Sequence, residues 1–120
     1  ANDLEQTGHV GAARAAYETA AQRWSTGLSW FVLANARYAV GEEDAAELAL
    51  RTSVQLDNSF APGWFNLSHV LAERGCPVHA SAARACAVRL APKDARFRVA
   101  LPPGSKERGA CEAPPACPVR

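Results

Sequence analysis

The sequence predicts an all-α protein, a superhelical stack of helix-turn-helix repeats with an irregular C-terminal tail, and three observations carry that expectation. A shift of thirty-four residues lays "SWFVLANARYAVG" (29–41) on "GWFNLSHVLAERG" (63–75), matching Trp30 to Trp64, Phe31 to Phe65, Leu33 to Leu67 and Gly41 to Gly75. Within one copy, Trp64, Leu67 and Leu71 recur at spacings of three and four, one face of an α-helix. Gly75, Pro77 and Pro92 then punctuate the copy into two helices and a stop.

Upstream, "TGHVGAARAAYETAAQRW" carries Gly8, Ala13, Tyr17 and Ala20, each thirty-three residues before Gly41, Ala46, Leu50 and Ser53. The sequence therefore divides into a partial unit (1–26), a second unit (27–60) and a third (61–94). A period of this length marks a helical solenoid, in which one unit cannot bury its apolar face alone. In unit three the first helix closes at Gly75, and Pro77 fits the first turn of the second, which runs to about Leu90. Small Ala80, Ala83 and Ala87 let the second helix lie close to the first. Unit two departs at Arg37, which stands at a core position, and at Asn58, which stands where unit three has Pro92. "KDARFRVAL" then predicts a cap helix over 93–101, with Phe97 and Leu101 turned inward. The repeat domain spans 1–101, and the tail 102–120 is too rich in Pro and Gly for a helix.

With 120 residues the chain has room for one domain. Thirteen Lys and Arg against twelve Asp and Glu leave no cationic excess to attract nucleic acid or an anionic membrane. The most apolar stretch, Trp30 to Val40, is interrupted by Asn35 and Arg37 and is too short to span a bilayer. The chain opens "ANDLEQTG" and contains no Met, so it reads as a piece of something longer, with any signal peptide, lipid anchor or catalytic domain expected upstream. Four cysteines, an even set in a short chain, point to an oxidising compartment, periplasmic or elsewhere in the cell envelope.

Chemistry-bearing constellations are few. Cys76, His79, Cys86 and His69 invite a zinc reading, but on one helix Cys76 and Cys86 stand about 15 Å apart, whereas zinc ligands lie about 2.0–2.3 Å from one ion. A Cys76–His79 or Cys76–His69 nucleophile pair has no recognisable oxyanion-hole loop beside it. The scattered glycines form no phosphate loop, so no cofactor is expected. "GEEDAAE" (41–47) reads as acids placed at a helix N-terminus.

Unit three resembles the tetratricopeptide repeat family: aromatic at repeat position 4, Leu at 7, small at 8, Gly at 15, Ala at 20 and 27 and Pro at 32, met by Trp64, Leu67, Ser68, Gly75, Ala80, Ala87 and Pro92. The resemblance implies that the first helix of each unit lines a concave face. It directs Leu28, Phe31, Asn35, Tyr38 and Ala39 of unit two, with Pro62, Phe65, His69, Ala72 and Glu73 of unit three, into that groove. Phe31, Asn35, Tyr38, Phe65, His69 and Glu73 are the candidate contacts for an extended peptide or a partner helix. Phe31 and Phe65 have the alternative of packing between units. The Lys and Arg clamp with which some relatives grip a peptide carboxylate is missing from these positions.

The whole run from "LEQTGHVGAARAAYETAAQRW" to "FAPGWFNLSHVLAERGCPVHASAARACAVRLAP" also resembles the C-terminal repeat region of exported bacterial cysteine peptidases of the bacteriocin-processing, papain-like type. That resemblance implies a non-catalytic binding domain whose parent enzyme has its catalytic residues upstream. The rival reading is a scaffold domain of an envelope-assembly lipoprotein with no enzymatic part. Because Ala1 to Thr7 are all that stand where the first helix of unit one belongs, the face carrying Val10, Ala13, Tyr17 and Ala20 is expected to drive self-association.

The tail raises a question of distance. Cys76 and Cys86 are too far apart along one helix to join, since bridged Cα atoms lie within about 7 Å. "EAPPA" between Cys111 and Cys117 favours an extended run of up to roughly 19 Å. An antiparallel tail would pair Cys86 with Cys111 and Cys76 with Cys117; the competing pattern is a local Cys111–Cys117 loop with two free helical thiols.

Overall fold

The computed structural model describes residues 10–101 and 111–119, with side chains from residue 15 onward. Among the described residues the chain is all-helical: α1 (Val10–Trp24), α2 (Gly27–Ala39), α3 (Glu43–Leu56), α4 (Ala61–Glu73) and α5 (Pro77–Leu90), followed by a 3-10 turn (Ala95–Arg98). The helix limits repeat with the sequence. α4 begins and ends thirty-four residues after α2, α5 does the same relative to α3, and α1 begins thirty-three residues before α3. Each helix packs chiefly on its neighbours along the chain.

Local chemistry explains these limits. Thr26 and Ser29 form a reciprocal capping box, with Ser29 N–H donating to Thr26 Oγ1 at 3.0 Å and Thr26 N–H to Ser29 Oγ at 2.9 Å. Pro62 and Pro77 sit in the first turns of α4 and α5, where a missing N–H removes no intrahelical bond. Gly41 and Gly75 adopt φ of 82° and 80° in the two tight turns, a conformation that a side chain disfavours.

The core runs along the seam between successive hairpins. Leu33, Leu50, Val54, Trp64, Leu67 and Leu71 are all buried, and wholly buried Ala80, Ala83 and Ala87 bring α5 close against α4. Trp64 is 1% exposed, and its indole N–H donates to the Asn58 carbonyl at 2.9 Å, so the ring is buried without stranding its donor. Asn58 thus meets the packing through its backbone carbonyl, a group that asparagine and proline supply alike. Arg37 is accommodated in a different way. Its guanidinium reaches Glu18 of α1 at 3.0 Å and the Ala45 carbonyl of α3 at 3.4 Å, bridging helices where an apolar residue would only pack.

Beyond α5 the expected cap helix over 93–101 is corrected to the single 3-10 turn. The turn begins at Ala95, thirty-four residues after the start of α4, so a next helix starts in phase and stops. Asp94 accepts from Arg96 N–H at 3.0 Å and opens the turn, while Val99 is already extended at φ −65°, ψ 141°. Pro102 and Pro103 follow, which removes the N–H groups that a continuing helix needs and disfavours helical backbone at Leu101. Phe97 is nonetheless buried, as a cap requires.

The tail is stapled to α5, in the opposite direction to the antiparallel pairing. The disulfides are Cys76–Cys111 and Cys86–Cys117, with Cα separations of 5.9 and 5.7 Å, so residues 111–117 run parallel to the helix. Neither the Cys86–Cys111/Cys76–Cys117 pattern nor the local Cys111–Cys117 loop is formed. Direction follows from what the tail meets. Arg51 of α3 donates to the Ala113 and Glu112 carbonyls at 2.7 and 2.8 Å, while Glu47 holds its Nε at 2.9 Å. The ten residues from Leu101 to Cys111 can span up to roughly 35 Å, more than the roughly 21 Å length of α5, so the chain can return to the start of that helix. The tail lies on the side of the second helices, α3 and α5.

At the other end, Tyr17, Trp24 and Leu28 are exposed, Trp24 and Leu28 by 64% and 60%, and with Ala20 and Val32 they line one shallow apolar depression. The side chains of Val10 and Ala13, and residues 1–9, lie outside the described residues.

Peptide mapping without reduction is expected to recover Cys76 linked to Cys111 and Cys86 linked to Cys117. The double variant Cys86→Ala/Cys117→Ala should lose roughly 3–4 kcal/mol in urea unfolding, the chain-entropy value for a loop of this size.

Candidate functional site

On the side of the first helices, α2 and α4 leave a pocket of about 240 Å³ between them. Ala34, Leu50 and Val70 form its buried floor, and Asn35, Tyr38, Phe65, Asn66 and His69 form its wall and rim. Capping by Thr26 and the Gly41 turn hold α2 at both ends, so Asn35 and Tyr38 project from a capped helix rather than a loop, and Phe65, Asn66 and His69 project from α4. Asn66 Nδ2 donates to Asn35 Oδ1 at 2.9 Å across the pocket. After making this bond each carboxamide retains donor and acceptor capacity.

A polar chain runs from the rim toward the turn between α2 and α3. The Tyr38 hydroxyl donates to the Glu73 carboxylate, His69 Nε2 lies 3.4 Å from the same carboxylate, and the Tyr38 and His69 rings meet edge to face at 6.4 Å. The Tyr38 pKa is pushed up to about 12, first by its hydrogen bond to Glu73, then by burial, then by the charges of Glu73 and Glu43. Past Glu73 the surface turns acidic. Glu42, Glu43 and Asp44 line a depression together with Glu73 and Arg74. Glu43 and Asp44 occupy the first turn of α3, where the helix dipole favours acids, and Asp44 also pairs with Arg74.

The six candidate contacts do not all converge. Asn35, Tyr38, Phe65 and His69 line the pocket, and Glu73 joins through Tyr38. Phe31 instead stacks edge to face on Phe60 at 5.1 Å, the packing alternative. Phe65 does both: one side faces the pocket, while the Arg84 guanidinium lies 4.5 Å from its ring centre and Phe97 lies 5.2 Å away. Two further groove positions are corrected, because Ala72 is only 3% exposed and Leu28 belongs to the depression beside Trp24. Asn66 went unrecognised. A polar side chain three residues before His69 on the same helix face was the available signal.

Both sulfurs considered for zinc or nucleophilic chemistry, Cys76 and Cys86, are consumed in disulfides and cannot act as thiolates. Among the described residues no group of three or more His, Cys, Asp and Glu is arranged to hold a metal ion, and no helix is long and apolar enough to cross a membrane. No protein-family model matches the chain, and no curated protein matches it.

Tyr38 gives the site a spectroscopic handle. In a Tyr17→Phe background, replacing Glu73 with Gln should bring the Tyr38 titration, read as tyrosinate absorbance, down from about 12 toward the ordinary tyrosine value near 10. The sign follows from linkage. The folded state holds this proton more tightly than the unfolded chain, so stability present below pH ~10 falls as pH rises toward 12, and the Gln variant should show less of that fall.

Proposed function

We propose that this chain is a non-catalytic, tetratricopeptide-like domain that binds a peptide or an extended protein segment between α2 and α4. In this reading it is an exported domain of a larger bacterial protein, such as a papain-like cysteine peptidase with its catalytic residues upstream. The carrying observation is the open pocket with the paired carboxamides of Asn35 and Asn66 at its rim. An extended peptide offers alternating N–H and C=O groups, and a carboxamide can both donate to and accept from them. The thirty-four-residue recurrence of helix limits supports the family reading, and the two disulfides support export to an oxidising compartment.

Selection of a random peptide library displayed on phage tests the groove. Enriched peptides should bind the wild-type chain and lose about tenfold or more in affinity on Asn35→Ala/Asn66→Ala, as removal of two hydrogen bonds predicts. Peptides indifferent to that change would place binding elsewhere.

The exposed depression of Tyr17, Ala20, Trp24, Leu28 and Val32 favours a second reading, a scaffold domain that associates with its own kind. Sedimentation should then show a concentration-dependent dimer that Trp24→Glu/Leu28→Glu abolishes. A strict monomer at millimolar concentration would remove this reading.

A further inference from the structure

We infer that the α2–α4 groove selects basic peptides: an apolar side chain enters the pocket, and a Lys or Arg three or four residues along meets the carboxylates of Glu73 and Glu43. This inference rests on the groove reading above and adds the chemistry of the occupant.

The apolar pocket and the acidic depression are neighbours, linked by one hydrogen bond between their linings. Glu73 lines the depression and accepts the hydroxyl of Tyr38, which lines the pocket. From Phe65 to Glu73 is eight residues of α4, about 12 Å along the helix. An extended peptide covers that distance in three or four residues at roughly 3.3 Å each. The occupant's two determinants are therefore set apart by the helix itself.

Charge complementarity decides the sign. Among the described residues Arg74 is the only lysine or arginine lining either hollow, and its guanidinium is engaged by Asp44 and by Glu47, the latter at 2.6 Å, while the His69 imidazole at the pocket rim lies 3.4 Å from Glu73. Arg37, the other nearby cation, is turned to Glu18 and the Ala45 carbonyl. Tyr38 keeps its proton first through the hydrogen bond to Glu73 and then through burial, and the charges of Glu73 and Glu43 act in the same direction. A peptide ammonium or guanidinium at this point finds a negative field, an aromatic ring and few competing cations. An acidic peptide meets repulsion from the same carboxylates.

Fluorescence anisotropy with three fluorescein-labelled probes tests the proposal on the intact, oxidised chain: Phe-Ala-Ala-Arg-Arg, Phe-Ala-Ala-Glu-Glu and Ala-Ala-Ala-Arg-Arg, all with blocked ends. The first should bind at least about tenfold more tightly than either of the others and weaken with added salt. Glu43→Gln/Glu73→Gln should erase its advantage over the acidic probe, with an unchanged far-ultraviolet circular dichroism spectrum at the assay temperature showing that the fold is retained. Equal binding of the basic and acidic probes overturns the inference, as does basic binding that survives the double substitution or is absent altogether. If phage-selected peptides still depend on Asn35 and Asn66 in any of those cases, the groove reading stands and the charge inference alone falls.

Discussion

A stack of helical hairpins is held together by contacts between neighbours, so whatever ends the stack must cover an apolar face that another hairpin would otherwise cover. Here Arg84 carries much of that task. It stands thirty-four residues after Leu50, at the same place in its hairpin, yet Leu50 packs toward a further helix while Arg84 faces a single turn. The guanidinium donates to Ser68 Oγ at 3.0 Å and to the Val99 carbonyl, and it covers the Phe65 ring. Burial pulls its pKa below the ordinary arginine value, the direction in which desolvation moves any cation. Phe97 completes the closure from the turn itself.

The tail completes the same end from another side. Its extended backbone lies against α5 through two disulfides and against α3 through Arg51, whose guanidinium takes two successive carbonyls. The α3–α5 side is therefore filled by the chain itself. The α2–α4 side keeps its hollow, and this division is what makes the latter the candidate site. The tail is held covalently as an extended chain, whereas the hollow between α2 and α4 carries paired carboxamides with donor and acceptor capacity to spare.

Most of the architecture was legible in the sequence, because period, glycine and proline act locally. Gly75, Pro77 and the stop near Leu90 marked the turn and the second helix of unit three, and the match of Gly41 to Gly75 carried the turn over to unit two. What escaped was set by contacts distant in sequence. The direction of the tail depends on Arg51, sixty-two residues before Ala113, and spacing between cysteines allows either direction. The cap failed as a helix because two prolines act on the residues before them. At the site, repeat position selected Asn35, Tyr38, Phe65 and His69 but also the buried Ala72, since residues sharing a helix face are divided by what the neighbouring helix covers.

The electrostatics of the groove are equally invisible to composition. A net charge of +1 describes a chain in which acids and bases cancel, yet four of its arginines are spent as fasteners. Arg37 ties α3 to α1, Arg51 holds the tail, Arg74 joins α4 to α3 through Glu47, and Arg84 closes the last hairpin. Each guanidinium is fixed in a partly desolvated position by the fork geometry that suits arginine to paired acceptors. Glu73 accepts the Tyr38 hydroxyl and Glu43 occupies the first turn of α3, and both line the acidic depression next to Tyr38. A nearly neutral chain thereby keeps an acidic depression beside its apolar pocket, a matter of where the fold places charges rather than of how many the sequence contains.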